Sequence, residues 1–128
     1  MVTSEFNVLL ADDERLIRYI LHAFFKKNGC RIDEAKNGLE ALQLFKQKHY
    51  DLILMDVNMP VMDGIEATQK IREYEDEQGR VKTHIVGIST ESDAEQECLN
   101  NGMNAFYTKP IMVKDIYYLI QKNQNPSL

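Results

Sequence analysis

No apolar run in the sequence approaches the roughly 20 residues that a helix needs to cross a bilayer, so a membrane span is not expected. Basic charge is also in deficit: 15 Lys and Arg stand against 20 Asp and Glu, a formal net charge of -5. Binding a phosphate backbone needs a basic face, so direct contact with nucleic acid is not expected either. Short clusters such as Lys26-Lys27 read as a solvated helix end. Cysteine is scarce. Cys30 and Cys98 form no Cys-x-x-Cys pair and have no metal-ligand spacing, so they read as small buried or half-buried thiols in a reducing cytosol. Met1 to Asn7 lacks the basic-then-apolar layout of a secretory signal, and a cytoplasmic location is expected. Repeats, linkers and low-complexity segments are missing too. The expectation is one domain over 1–128, with a core at about 6–122 and a polar tail at 123–128. A chain of 128 residues with 44% apolar and 27% charged content can bury a core without staples.

What the sequence does contain is an alternation of short apolar runs with longer segments of helical period, the pattern of repeated βα units. Phe6 to Ala11 reads as a strand that stops at Asp12-Asp13-Glu14. Ile17, Ile20, Leu21, Phe24 and Phe25 then recur at helical spacing until Asn28-Gly29. Arg31 to Ala35 is a weak, charged strand suited to a sheet edge. Asn37-Gly38 leads into a helix carrying Leu39, Ala41, Leu42 and Phe45. Leu52 to Met55 is a near-continuous apolar strand, covered on both faces, and it runs into Asp56. After the loop Val57 to Gly64 comes a helix through Ile65, Ala67 and Ile71, which dissolves into an exposed charged connection from Glu73 to Lys82. His84 to Ser89 is the fourth strand, with Ser92 as the N-cap of a helix ending at Asn101-Gly102. Ala105 to Thr108 is the fifth strand, and Val113 to Ile120 the last helix. Right-handed crossovers make this a doubly wound parallel α/β sheet, whose site lies at the carboxyl ends of the strands.

Acidic residues stand at those ends: Asp12 and Asp13 after the first strand, Asp56 after the third. If the strands are neighbours, three carboxylates converge, and their repulsion demands a cation. Lys109 ends the fifth strand and neutralises one charge; one divalent cation would neutralise the two that remain. An all-oxygen donor set without His or Cys favours Mg²⁺, with Mn²⁺ as a substitute. Asp56 is then placed to attack phosphorus and form an aspartyl phosphate. Such a transfer needs its equatorial oxygens clamped, and the metal, Lys109 and the Ser89 hydroxyl can take one each. Taken singly, an Asp after a strand is usually a cap and a Lys-Pro usually a turn. Their joint placement on four strand ends is what points to chemistry. His22, His49 and His84 carry no relay context, and structural or surface roles are expected for them.

With those residues in hand, the chain resembles the receiver domains of two-component response regulators from about Phe6 to Ile120. The marks are Asp12-Asp13-Glu14, Asp56-x-x-Met59-Pro60-x-Met62-Asp63-Gly64, Ser89, and Lys109-Pro110-Ile111, with Gly102-Met103-Asn104-Ala105-Phe106 ahead of the lysine. The resemblance implies a flavodoxin-like (βα)5 sheet of strand order 2-1-3-4-5. It implies that Asp56 is the phosphoacceptor. Asp13, Asp56 and the backbone carbonyl of Asn58 would hold Mg²⁺ directly, and Asp12 through a water. Ser89 matches the switch hydroxyl, Lys109 the phosphate-binding lysine, and Phe106 the switch aromatic, without the hydroxyl of a Tyr. The Lys109-Pro110 bond is expected to be cis. Asn58 and Glu91 occupy the positions that tune dephosphorylation. A histidine kinase or histidine phosphotransfer protein would supply the phosphoryl group, with Leu16, beside Arg15 and Arg18, as a candidate contact. A downstream protein would read the face made by the fourth helix, fifth strand and fifth helix, where Tyr117-Tyr118 places at least one exposed aromatic. Such a domain is not an enzyme beyond catalysing its own phosphorylation and dephosphorylation. A stand-alone regulator, a relay intermediate and a fragment of a hybrid sensor kinase are all left open, with Met1 favouring the first.

Two other classes compete. An aspartyl-phosphate hydrolase would carry Asp-x-Asp after the first strand, whereas this strand ends Asp12-Asp13. A non-phosphorylated interaction scaffold of the same fold would lack one of the pocket residues.

Overall fold

The computed structural model describes residues 5–124. The elements are β1 Phe6–Ala11, α1 Arg15–Lys27, β2 Cys30–Ala35, α2 Gly38–Gln47, β3 Leu52–Asp56, α3 Gly64–Gln78, β4 His84–Ser89, a 3-10 turn Ser92–Ala94, α4 Glu95–Asn100, β5 Ala105–Thr108 and α5 Val113–Gln124. All strand pairs are parallel, in the order β2-β1-β3-β4-β5. This is the flavodoxin-like fold that the βα alternation and the resemblance imply.

Strand pleating divides the core in two. Phe6, Val8 and Leu10 of β1, with Leu52 and Leu54 of β3, face Leu21 and Phe25 of α1 and Ile116, Leu119 and Ile120 of α5. Leu9, Ala11, Ile53 and Met55 face the other way, onto Ala41 and Phe45 of α2, Ala67 and Ile71 of α3, and Cys98 of α4. All five residues of β3 are buried, as its unbroken apolar run predicts. Each fully buried Leu or Ile contributes about 1.5–3 kcal/mol relative to exposure. The charged strand β2 does lie at an edge. Both cysteines are buried and unpaired.

Four expectations need correction. The helix after Gly64 does not dissolve at Glu73 but continues to Gln78, ending on Gly79 in the left-handed region (φ 65). Its charged second half is not all exposed, because Glu75 is fully buried and paired with Arg72. Ser92 is not an N-cap: it begins a 3-10 turn, and no side chain caps that turn or α4. The last helix runs four residues past Ile120, so Asn123 is helical and its side-chain amide donates to the carbonyl of Leu119 at 2.7 Å. Positions 125–128 of the expected polar tail lie outside the described residues. Finally, Ile20 and Leu39, read into apolar stripes, are 53% and 37% exposed. The buried face of α1 is built instead on Leu21 and Phe25, with Ile17 and Phe24 packed beside them.

Asn37 caps α2, its Oδ1 accepting the N–H of Glu40 at 2.8 Å. Gly38 follows because there is no room for a Cβ: its N–H donates to the Met62 carbonyl at 2.8 Å, and that oxygen occupies the space a side chain would take. The loop after β3 is thereby stapled to α2. Among the described residues no helix is long and apolar enough to cross a membrane.

Candidate acidic site at the strand ends

β1 and β3 are adjacent, and the chain leaves both at the same edge of the sheet. Asp12 and Asp13 follow the first; Asp56 ends the third. The carboxylates of Asp12, Asp13 and Asp56 each offer an oxygen within 4.8 Å of the others. Asp12 and Asp56 are 2% and 3% exposed, while Asp13 faces solvent. Lys109, from the end of β5, reaches across: its Nζ is 3.0 Å from Asp12 Oδ2, 3.3 Å from Asp56 Oδ2 and 3.4 Å from Glu14 Oε1. Asp13, Glu14, Asp56, Asn58, Thr90 and Lys109 line an open cleft of about 260 Å³.

The balance of charge is incomplete. One lysine stands against three carboxylates, with Glu14 at the rim. Burial pushes the Asp56 carboxyl up to about 7; Asp12 adds to the rise, and Lys109 with the Asn58 N–H opposes it. Burial alone would lower the Lys109 ammonium, but Asp12 and Asp56 hold its pKa above the ordinary value. Asp12 Oδ1 accepts the Glu14 N–H at 2.8 Å. Asp12 Oδ2 is buried, and the Lys109 ammonium 3.0 Å away, shared with Asp56 and Glu14, is its close partner. A buried carboxylate oxygen with a free lone pair, in an all-oxygen set carrying excess negative charge, fits a hard divalent cation.

Ser89 ends β4, with its side chain buried. Its Oγ accepts the Glu91 N–H at 3.1 Å and lies 3.5 Å from Asn58 Nδ2. Its carbonyl accepts the Lys109 N–H at 2.7 Å, so the lysine backbone is tied to the same strand end. Asn58 also donates its N–H to Asp56 Oδ1 at 3.3 Å. Glu91 enters this network through its backbone. Phe106 does not line the cleft; it is partly buried against the core under α4. The Lys109-Pro110 bond is cis.

Between Asp56 and α3 the chain makes a strained turn. The Met62 N–H bonds the Pro60 carbonyl at 2.7 Å around Val61, whose φ is 70. A bond spanning two residues around a positive φ is the uncommon form of γ-turn, and Val is ill suited to it. Three participants had no role in the site on the sequence reading. Glu14 adjoins Asp12-Asp13 and Thr90 adjoins Ser89, so proximity in sequence could have found them. Arg18 donates to the Asp12 backbone carbonyl, for which a sequence carries no signal.

The family model described as "Response regulator receiver domain" matches residues 8–121. Hybrid signal transduction histidine kinase B of Dictyostelium discoideum is 38% identical over 93% of the chain, and Histidine kinase 5 of Arabidopsis thaliana 32% identical over 94%. The chain spans only 7% and 16% of those two proteins. Among solved structures, the receiver domain of Saccharomyces cerevisiae Ssk1, crystallised with the histidine phosphotransfer protein Ypd1, superposes with TM-score 0.87 at 30% identity, covering 95% of this chain and 90% of that one. The receiver domain of the Pseudomonas aeruginosa sensor histidine kinase PA1611 gives 0.83 at 26% identity, covering 94% and 98%, and holds a magnesium ion in its active site cleft.

Proposed function

Because the chain belongs to the response regulator receiver domain family, we propose that it is a phosphorelay receiver in which Asp56 accepts a phosphoryl group from a phosphohistidine donor. The observation that carries this reading is Asp56 itself: a buried carboxylate crowded by Asp12 and Asp13, with one lysine to balance them. An oxygen of Asp56 attacks phosphorus as the phosphorus–nitrogen bond of the donor breaks; the donor imidazole leaves with the electron pair. Lys109 neutralises charge on one phosphoryl oxygen, and the Ser89 hydroxyl donates to another, giving up its contact with Asn58. Asp12, Asp13, Asp56 and the backbone carbonyl of Asn58 would hold Mg²⁺, or Mn²⁺ in its place, which when bound neutralises the transferring group.

The new dianionic group then biases a two-state equilibrium only by its differential affinity for the active state. Inward movement of Ser89 frees space for Phe106 to rotate, which repacks the face of α4, β5 and α5 for a downstream reader. Asn58 and Glu91 tune the lifetime of the acyl phosphate. The donor is a histidine kinase or a phosphotransfer protein, which the Ypd1–Ssk1 likeness supports; Leu16, 68% exposed on α1, is a candidate contact for it. A cytoplasmic setting suits such a donor. In the presence of acetyl phosphate and Mg²⁺, intact mass should rise by one phosphoryl group in the wild type and stay fixed in Asp56→Asn. A wild type that gains no mass would leave the fold as an interaction scaffold.

A further inference from the structure

Arg18 lies one turn into α1, and its side chain is only 16% exposed. Its Nη1 donates to the backbone carbonyl of Asp12 at 2.8 Å, and its Nε to Glu34 Oε1 at 3.0 Å. The second oxygen of Glu34 is 2.6 Å from His22 Nδ1, one turn further along the same helix. Glu34 belongs to β2, and the next residue, Ala35, accepts the Asp12 N–H at 3.0 Å. Asp12 is therefore gripped at its N–H by β2, at its Oδ1 by Glu14 and at its carbonyl by Arg18. That carbonyl belongs to the peptide that joins Asp12 to Asp13. Its direction sets where the two carboxylates project.

We propose that Arg18, held by Glu34 and His22, is a positioning residue for the divalent-cation site, fixing the Asp12–Asp13 peptide so that both carboxylates meet one ion. This rests on the reading of the acidic cluster as a cation site. A hydrogen bond to a ligand's own main chain orients that ligand as outer-shell partners do in metal sites. The guanidinium suits the task because its planar fork serves two acceptors at once, here a carbonyl and a carboxylate.

Charge and position make opposite predictions. Removing Arg18 leaves Glu34 unbalanced and the region more negative, which by Coulomb attraction alone would tighten cation binding. Loss of positioning loosens it. A salt bridge that merely pins α1 to β2 would change stability and leave the affinity unchanged or tighter.

The experiment is calorimetric titration of Mg²⁺ into the full chain, for wild type, Arg18→Met and Arg18→Lys, with Asp13→Asn as site control and metal-free melting alongside. Arg18→Met should weaken Mg²⁺ binding about tenfold, at the low end of outer-shell effects because Arg18 acts through the backbone. Arg18→Lys keeps the charge but replaces the planar fork that spans the Asp12 carbonyl and Glu34 with a compact ammonium, and should weaken binding roughly threefold. Affinity equal to or tighter than wild type in Arg18→Met overturns the proposal. Should that variant fail to fold, wild-type affinity in Arg18→Lys overturns it instead. A wild type that does not bind Mg²⁺, or an Asp13→Asn that binds as well as wild type, defeats the cation site itself and the positioning role with it.

Discussion

Replacing Arg72 by methionine should destabilise the domain by about 3–5 kcal/mol at pH 7, a large share of the roughly 5–15 kcal/mol that native domains possess. Glu75 is fully buried in α3. Its Oε1 accepts from Arg72 Nη1 at 2.8 Å, and its Oε2 from the Thr83 N–H at 2.7 Å. The rest of the guanidinium serves the Thr83 and Gly102 carbonyls and Asn104 Oδ1, at 2.8, 2.9 and 2.8 Å. Without Arg72 a carboxylate is left in the core with one donor. Adding Glu75→Gln removes the charge, keeps an acceptor for Thr83, and should restore about 2 kcal/mol. Urea unfolding of the four proteins at pH 7 measures this. A loss below about 1 kcal/mol at pH 7, or no rescue by Glu75→Gln, would refute the reasoning.

Val61→Asn should stabilise by about 0.5–1 kcal/mol in the same assay, since Asn tolerates the positive φ that Val61 adopts. Asp33→Asn should cost about 1–2 kcal/mol at neutral pH by weakening the bond from the Tyr50 hydroxyl (2.6 Å) and the ion pair with Lys48. Burial alone would raise the Asp33 carboxyl, but Tyr50 and Lys48 bring it below its ordinary 3.8, so this stability is present above 3.8 and fades as pH falls through the lower folded value; wild type and variant should converge in acid. The opposite sign holds at Asp56: its pKa of about 7 exceeds the 3.8 of the unfolded chain, so metal-free wild type should lose stability as pH rises from about 4 to 7. Asp56→Asn should flatten that slope in thermal melts and be about 1–3 kcal/mol more stable than wild type at pH 7 without metal. Asn58→Lys should lengthen the phosphorylated lifetime roughly tenfold, by removing an amide that can orient water, while Mg²⁺-dependent phosphorylation persists; phosphoprotein decay followed by mass reads it.

The architecture was legible because strand ends announce themselves: Leu10-Ala11 gives way to Asp12-Asp13, and Met55 to Asp56, with no intervening turn residues. The second half of α3 was hidden for the opposite reason. Glu73 to Gln78 is polar, and the burial of Glu75 depends on Arg72 three residues earlier and on the N–H of Thr83, which only folding brings near. The i, i+3 spacing of Arg72 and Glu75 was the available signal. The 3-10 start of α4 was missed because Ser92 looks like a cap, yet the hydroxyl that takes up an N–H there is that of Ser89.

These two ends of the sheet also explain why one charged cluster suits a cation and the other does not. Arg72 and Glu75 meet where β4 and β5 begin; Lys109 meets Asp12 and Asp56 where β1, β3 and β5 finish. Both place an acid and a base in the interior, at similar distances. At the first, one cation faces one anion, and both carboxylate oxygens have donors. At the second, three carboxylates face one lysine, whose ammonium is shared between Asp12 and Asp56. A satisfied pair has nothing to gain from a ligand, and its loss costs stability alone. An unsatisfied cluster reduces stability until a cation or a transferred group arrives. The energy withheld from folding there is the energy available for binding.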